Sequence, residues 1–445
     1  MPITSRFLNV VFRLITVLTI TTAATAHART DTPSLEELWA IIQEQQRVIE
    51  ELKARLEQTD QKVSATESRV EETAQEVEAA AEAMEAARPA TASWAEKTSI
   101  GGYGELHYNS LNDDNDTIGG DDDLDRVDFH RFVLYFGHEF TDYLRFFSEL
   151  EIEHALAGDG QPGEVELEQA WIEMDLTDHH RARAGLDILP IGIINPTHEP
   201  NTFYGVERNK VETEIIPTTW WEAGVGFNGE IRPGWNYDLV AHSGLVVPTT
   251  GSSAFRPRNG RLKVANADDQ DIAFTGRLRY TGRPGLEIGL SGQYQRDITG
   301  AADLHVIDAT LFEGHIDWKH ASGFGLRALY ARWDLGDDAS PFPGLDPDDV
   351  NADTLDGWYV EPAYRFDLPG RIPGDLGLFT RYEQWDERNQ LTGAHRFEEF
   401  SRWVFGMNWW PHTNVALKFD YQNEQADAPV DKVLDGVNLG IGYQF

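Results

Sequence analysis

From Ser99 to the last residue the sequence repeats with a period of two, and the links between its extended runs alternate in length. Sixteen such runs can be counted. Seven links are short: 141–143, 177–179, 232–234, 282–285, 321–323, 368–375 and 411–413. The other set is mostly longer: 111–124, 157–163, 193–221, 246–270, 298–303, 336–354, 391–395 and 424–434. Period two is a strand with two unlike faces. Short turns at one end and longer polar loops at the other are the rhythm of a transmembrane barrel with its turns in the periplasm. The faces agree. Val415, Leu417, Phe419 and Tyr421 alternate with Ala416, Lys418, Asp420 and Gln422, and Trp403, Phe405, Met407 and Trp409 with Arg402, Val404, Gly406 and Asn408. In a soluble sandwich the charged face would meet water outside. Here the eleven Trp of this region near run ends suggest interfacial girdles, which puts the charged face inside. The last run, GVNLGIGYQF, then faces lipid with Val437 to Tyr443, lines water with Asn438 to Gln444, and closes the sheet on the first strand.

The N-terminal part follows different rules. Residues 1–28 carry Arg6 and Arg13, an apolar stretch and the small-x-small triplet Ala26-His27-Ala28, as a secretory signal does. From Leu35 the apolar positions recur every three and four residues through Ile42, Ile49, Leu56, Val63, Val70 and Val77 to Met84. That heptad seam predicts an α-helical coiled coil over 35–86, a rod of roughly 80 Å whose apolar stripe self-associates. Mixed Leu and Ile at the seam lean toward three strands. Arg88-Pro89 ends it, and 87–97 is a linker to the barrel at 98–445. The fold class is thus all-β, a sixteen-stranded antiparallel barrel in the outer membrane, preceded by a periplasmic coiled coil. No cysteine is present, so nothing depends on disulfides, and a net charge of −38 argues against nucleic acid as a partner.

The segments SIGGYGELHYN, RFVLYFGHEFTDYLRFFSELEIEHA, EQAWIEMDL and GLDILPIGIINPTHEPNTFYGVERN together resemble the phosphate-selective porin O and P family across residues 98–445, and the N-terminal segment resembles that of the related dicarboxylate-diffusion porins. The resemblance implies a homotrimer, a loop folded into the lumen and a terminal Phe, here Phe445, that serves as an assembly signal. By order and length the inward loop is 193–221, and the constriction candidates on it are His198, Glu199, Asn201, Tyr204, Glu207, Arg208 and Lys210. In that family selectivity rests on clusters of Arg and Lys, whereas this loop has four Glu against one Arg and one Lys, so phosphate selectivity is not carried over.

Alternation assigns Arg181, Arg183, Arg277, Arg279, Arg327, Arg365, Arg381 and Arg402 to the lumen wall, several near the periplasmic ends of their strands. Glu149, Glu151 and Glu153 face Glu164, Glu166 and Glu168 across the second long loop. The expectation is a basic inner vestibule under a more acidic outer rim, with three alternatives open: the arginines select anions, they pair with carboxylates and brace the wall, or a mixed field orients dipolar solutes. Inward glycines such as Gly224, Gly226, Gly289, Gly440 and Gly442 suggest an open lumen. The acidic loops NDDNDTIGGDDDLD and GDDASPFPGLDPDDVNAD lack the spacing of an EF-hand, so no metal ligands and no cofactor are assigned. No catalytic motif such as GxSxG or HExxH occurs. The function expected is passive diffusion of small hydrophilic solutes, with phosphate and dicarboxylates as candidate anions. The alternative is an outer-membrane anchor with a plugged barrel, tied through its rod to the cell wall.

Overall fold

The computed structural model describes residues 94–113, 123–249, 253, 255–267, 271–300, 306–336, 354–391, 394–426 and 433–445, with scattered positions from Glu36 to Glu71. The chain divides into two units, Met1–Pro89 and Ala90–Phe445. In the first, every described position from Glu36 to Glu71 is helical, and Trp39, Ile42 and Ile49 are exposed. The signal segment 1–28 and most of the acidic stretches at 112–125 and 336–353 lie outside the described residues, as do most seam positions of the heptad pattern.

The second unit is a closed antiparallel barrel of sixteen strands in sequence order. They are β1 (Thr98–Asp113), β2 (Leu124–Thr141), β3 (Leu144–Glu153), β4 (Val165–Asp175), β5 (His180–Ile188), β6 (Trp221–Arg232), β7 (Trp235–His242) and β8 (Ala273–Arg283). Then follow β9 (Leu286–Gln295), β10 (Ala309–Lys319), β11 (Phe324–Leu335), β12 (Thr354–Asp367), β13 (Asp375–Leu391), β14 (Ala394–His412), β15 (Val415–Ala426) and β16 (Leu434–Gln444). The short links fall where the sequence put them, because their chemistry is local. In the Arg-Pro-Gly turns after β6 and β8, Gly234 (φ 80°) and Gly285 (φ 76°) take the left-handed position that follows a proline at little steric cost.

Closure joins the two ends of the barrel sequence. Tyr103 pairs with Gln444 and Asn109 with Asn438, and Gly102 and Phe445 exchange backbone hydrogen bonds of 3.0 and 2.9 Å. A closed sheet leaves no strand edge unsatisfied, the condition for crossing a lipid layer with strands. The outer face is apolar from strand to strand: Val225 and Phe227, Leu239, Ile288 and Leu290, Phe405 and Met407, Leu439 and Ile441 are all exposed. The inner face buries charge, with Glu105, Arg131, Glu149, Glu313, Arg381, Glu383, Arg402 and Asp420 turned in. So large an apolar exterior over a polar interior suits lipid outside and water within.

One expectation is corrected here. Trp220, Trp221, Trp333, Trp385 and Trp410 are buried rather than set in an outer girdle. Trp220, Trp333 and Trp385 belong to an apolar cluster inside the barrel. Alternation reports that a side chain has an apolar neighbourhood, not whether that neighbourhood is lipid or another part of the protein.

Candidate functional site: the lumen and its inner loop

The third long loop, residues 189–220, folds against the inner wall. Its apolar members Leu189, Ile191, Val211, Ile215, Ile216 and Trp220 pack on inward residues of β10–β13, among them Leu311, Leu329, Trp333, Leu355 and Tyr359. Each such side chain removed from water contributes about 1.5–3 kcal/mol, so several together fix the loop to one side of the barrel. At the centre is Glu212, wholly buried in the short helical turn Val211–Ile215. One carboxylate oxygen accepts from the backbone N–H of Ile193 (2.8 Å) and Ile194 (2.6 Å), and the other from Tyr359 Oη (2.8 Å) and Asn209 Nδ2 (3.2 Å). Burial raises the Glu212 carboxyl above the usual range, partly offset by these donors.

From Asn201 to Lys210 the loop runs along β11 and β13–β16, and side chains of the wall satisfy its irregular backbone. Arg327 donates to Thr202 O (2.9 Å), Asn408 to Phe203 O (3.0 Å), Lys418 to Gly205 O (2.8 Å) and Trp410 to Asn201 O (3.1 Å). In return the N–H of Val206 donates to Asp420 (2.6 Å) and that of Lys210 to Glu383 (2.7 Å). Irregular backbone at membrane depth is tolerated when it is paired in this way.

Among the constriction candidates, Tyr204 packs tilted against Phe379 and edge-on to Trp410, and Asn201 reaches Gln444 on the last strand (3.3 Å). Glu207 takes contacts from His107 (3.1 Å) and Asn109 (3.0 Å) on β1. Lys210 pairs with Glu214 (3.4 Å), and the Glu199 carbonyl caps the turn at Thr202. Arg208 donates to Thr219 Oγ1 (3.0 Å). His198 is buried with Nδ1 at Asn195 O (3.0 Å) and Nε2 facing Glu149 (3.3 Å) and Glu168 (3.6 Å). The inward glycines are corrected too. A Cβ on Gly442 would lie 2.5 Å from Pro200, one on Gly440 3.1 Å from Val206, and one on Gly289 2.2 Å from the His315 ring. These glycines make room for the loop and a histidine, not for water.

Burial alone would lower the His198 pKa, but Glu149 and Glu168 raise it to about 10. An imidazolium with a raised pKa stabilises the fold fully below the unfolded value near ~6.5, and that contribution is lost as pH rises through about 10. The melting temperature of wild type should therefore exceed that of His198→Gln most below about pH 6.5, with the gap closing toward alkaline pH. A gap that does not change with pH rules this out.

The basic inner vestibule is not what the contacts form. All eight wall arginines face a carboxylate: Arg181 Asp175 (3.0 Å), Arg183 Glu173 (2.7 Å), Arg277 Asp238 (2.9 Å), and Arg279 Glu287 (3.4 Å). Arg327 meets Asp317 (3.2 Å), Arg365 Asp375 (2.8 Å), Arg381 Glu361 (3.0 Å), and Arg402 Glu383 (2.6 Å). This is the bracing alternative: a lattice of neutralised pairs. The acidic rim is offset as well. His198 sits between Glu149 and Glu168, Arg131 between Glu105 (2.7 Å) and Glu151 (3.4 Å), and Lys263 against Glu164 and Glu166. Glu153 lines the cavity beside them.

Arginines without a close carboxylate line the same cavity as that acidic rim. This cavity of about 640 Å³ above the inner loop is lined by nine Arg and Lys and eight Glu side chains, in a chain where acids outnumber bases 75 to 37. Among the described residues, no carboxylate lies within 4.0 Å of Arg208, Arg258 or Arg261. Arg258 donates to the carbonyls of Thr213 (2.6 Å) and Thr218 (3.1 Å), and Arg261 to that of Thr219. Burial and the adjacent Arg258 lower the Arg261 pKa to about 10, so it stays charged at neutral pH. Sequence reasoning named Arg208 and missed Arg258 and Arg261. Their signal was there: RPRNGRLK, residues 256–263, puts four basic residues in eight within an acidic chain. A second cavity of about 460 Å³ opens below, and Phe203, 2% exposed, lines both.

No known family model matches the sequence. An uncharacterised protein of Aquifex aeolicus (strain VF5) is 31% identical over 352 residues, which is 73% of this chain and 75% of that one. The chain belongs to that protein's family. Among solved structures, an anion-selective porin from Comamonas acidovorans matches with a TM-score of 0.51 at 11% identity, over 78% of this chain and 99% of the porin. The outer membrane channel DcaP of Acinetobacter baumannii gives 0.49 at 15% identity, over 78% and 97%. The Comamonas likeness shows the fold alone: this chain forms a porin-like barrel.

Proposed function

We propose that this protein is an outer-membrane channel through which small hydrophilic solutes diffuse passively, and that its outer vestibule favours small anions, phosphate and dicarboxylates among them. The observation that carries the anion preference is the trio Arg208, Arg258 and Arg261, which faces the 640 Å³ cavity without a carboxylate partner among the described residues. A fixed positive cluster in a narrow aqueous site lowers the energy of an anion by about 1 kcal/mol per charge at 4 Å in a water-like dielectric, and by more where water is thin. That biases ions without trapping them. Exposed Trp39, Ile42 and Ile49 on a helical segment support self-association through the N-terminal rod, as a homotrimer.

A second reading has its own observation. Phe203 lines both cavities, and the loop around it is hydrogen-bonded to the wall, as a plug in a structural anchor would be. One measurement divides them. In a planar bilayer under a KCl gradient, a channel gives discrete conductance with a reversal potential of the sign for chloride preference. A cation-selective potential overturns the anion reading, and absent conductance leaves the anchor.

A further inference from the structure

We propose that Asp128, His130 and His154 form a binding site for a first-row transition-metal dication, Zn²⁺ or its neighbours, at the mouth of the lumen. Asp128 and His130 lie on β2 where its pairing with β1 is irregular between Glu105 and His107, and there His130 lines the lumen cavity together with the adjacent Arg131. His154 directly follows β3, and its backbone N–H donates to His130 O (3.2 Å), which holds it beside β2. His154 Nδ1 lies 2.8 and 2.9 Å from the two oxygens of Asp128, and His130 Nδ1 3.2 Å from one of them. All three ligand atoms fit within 4.8 Å. A tetrahedral ion with bonds near 2.0 Å spaces its ligands about 3.3 Å apart, so these side chains need little movement to receive one.

Two further features point the same way. His154 (φ 52°) and Ala155 (φ 55°) are consecutive non-glycine residues in the left-handed region, a conformation that is kept where the surroundings hold it and that gathers at functional sites. The His130 ring is also buttressed. His107 stacks on it at 4.7 Å and 13°, and the two nitrogens of His107 are held by Glu105 (3.2 Å) and Glu207 (3.1 Å). Outer contacts of this kind orient a ligating ring. His130 lines the 640 Å³ cavity, so the site opens to the lumen. Two imidazoles and one carboxylate suit borderline metals and not Ca²⁺ or Mg²⁺, which prefer oxygen.

The test is isothermal titration of ZnCl₂ into the tag-free, EDTA-treated full chain in detergent, with millimolar CaCl₂ present to fill the acidic loops. Wild type should bind one Zn²⁺ per protomer. His154→Ala, outside the strands, should weaken binding at least tenfold, and Asp128→Asn likewise. His198→Gln, which alters the separate group of Glu149, Glu168 and His198, should leave it unchanged. No Zn²⁺ binding by wild type, or binding equally tight in His154→Ala, overturns the proposal. So does a loss that appears in His198→Gln and not in His154→Ala.

Discussion

Replacing Arg258 and Arg261 together by Gln should abolish most of the chloride preference in a planar bilayer, and replacing both by Glu should reverse it. The two guanidinium groups line the cavity above the inner loop and donate only to backbone oxygens, while Glu214 near Arg258 and Glu153, Glu166 and Glu168 near Arg261 act on them from beyond ion-pair distance and offset their charge in part. Two charges at about 1 kcal/mol each amount to more than tenfold in water, and screening at 0.1 M salt trims this to roughly tenfold in the anion-to-cation permeability ratio. The matched control removes an inner pair whole, Arg365→Gln with Asp375→Asn, which changes no net charge. Its ratio should stay within about twofold of wild type, since the pair's fields cancel beyond a few ångströms. Should the inner double variant shift the ratio as much as the outer one, the selective field is not where the unpaired arginines are.

Glu212→Ala should release the inner loop. The change leaves two backbone N–H groups and the Tyr359 hydroxyl without their acceptor in a site closed to water. Stranding buried partners of a carboxylate costs about 3–5 kcal/mol, comparable with the burial of two of the loop's apolar side chains. The sheet does not depend on this residue, because each strand is paired with its neighbours. The far-ultraviolet strand signal should therefore stay as it is, while single-channel conductance rises at least twofold and open-channel noise broadens. Glu212→Gln should lie between, because an amide oxygen can still accept from Ile193 and Ile194. A Glu212→Ala channel that is quiet and of wild-type conductance would mean that apolar packing alone holds the loop.

Local chemistry was legible in the sequence and distant pairing was not. Strand positions, face assignments such as Lys418 inward and Phe419 outward, and the Pro-Gly turns follow from residues within a few positions of each other. The buried tryptophans were misplaced because what covers Trp333 is Ile215 and Trp220, more than a hundred residues earlier. The wall arginines looked like a basic field for a related reason. The partner of Arg277 is Asp238 on the neighbouring strand, 39 positions away, and alternation says which face a charge is on but not which charge it meets. The inner loop itself came from resemblance, since nothing in 189–220 taken alone distinguishes a loop that folds inward from one in solvent. The histidine and aspartate at the mouth were invisible because His154 joins Asp128 and His130 only through strand register.

The inner loop also bears on how the molecule comes apart. It touches both ends of the barrel sequence: Glu207 holds Asn109 on β1, while Asn201 reaches Gln444, and Pro200 sits against Gly442 on β16. A segment from the middle of the chain thus clasps the seam whose two strands are not consecutive in sequence. Passage width and resistance to unzipping are then a single property of this protein. Variants selected to admit bulkier cargo by loosening the loop will separate β1 from β16 under lower force, and tightening the seam will narrow the way through.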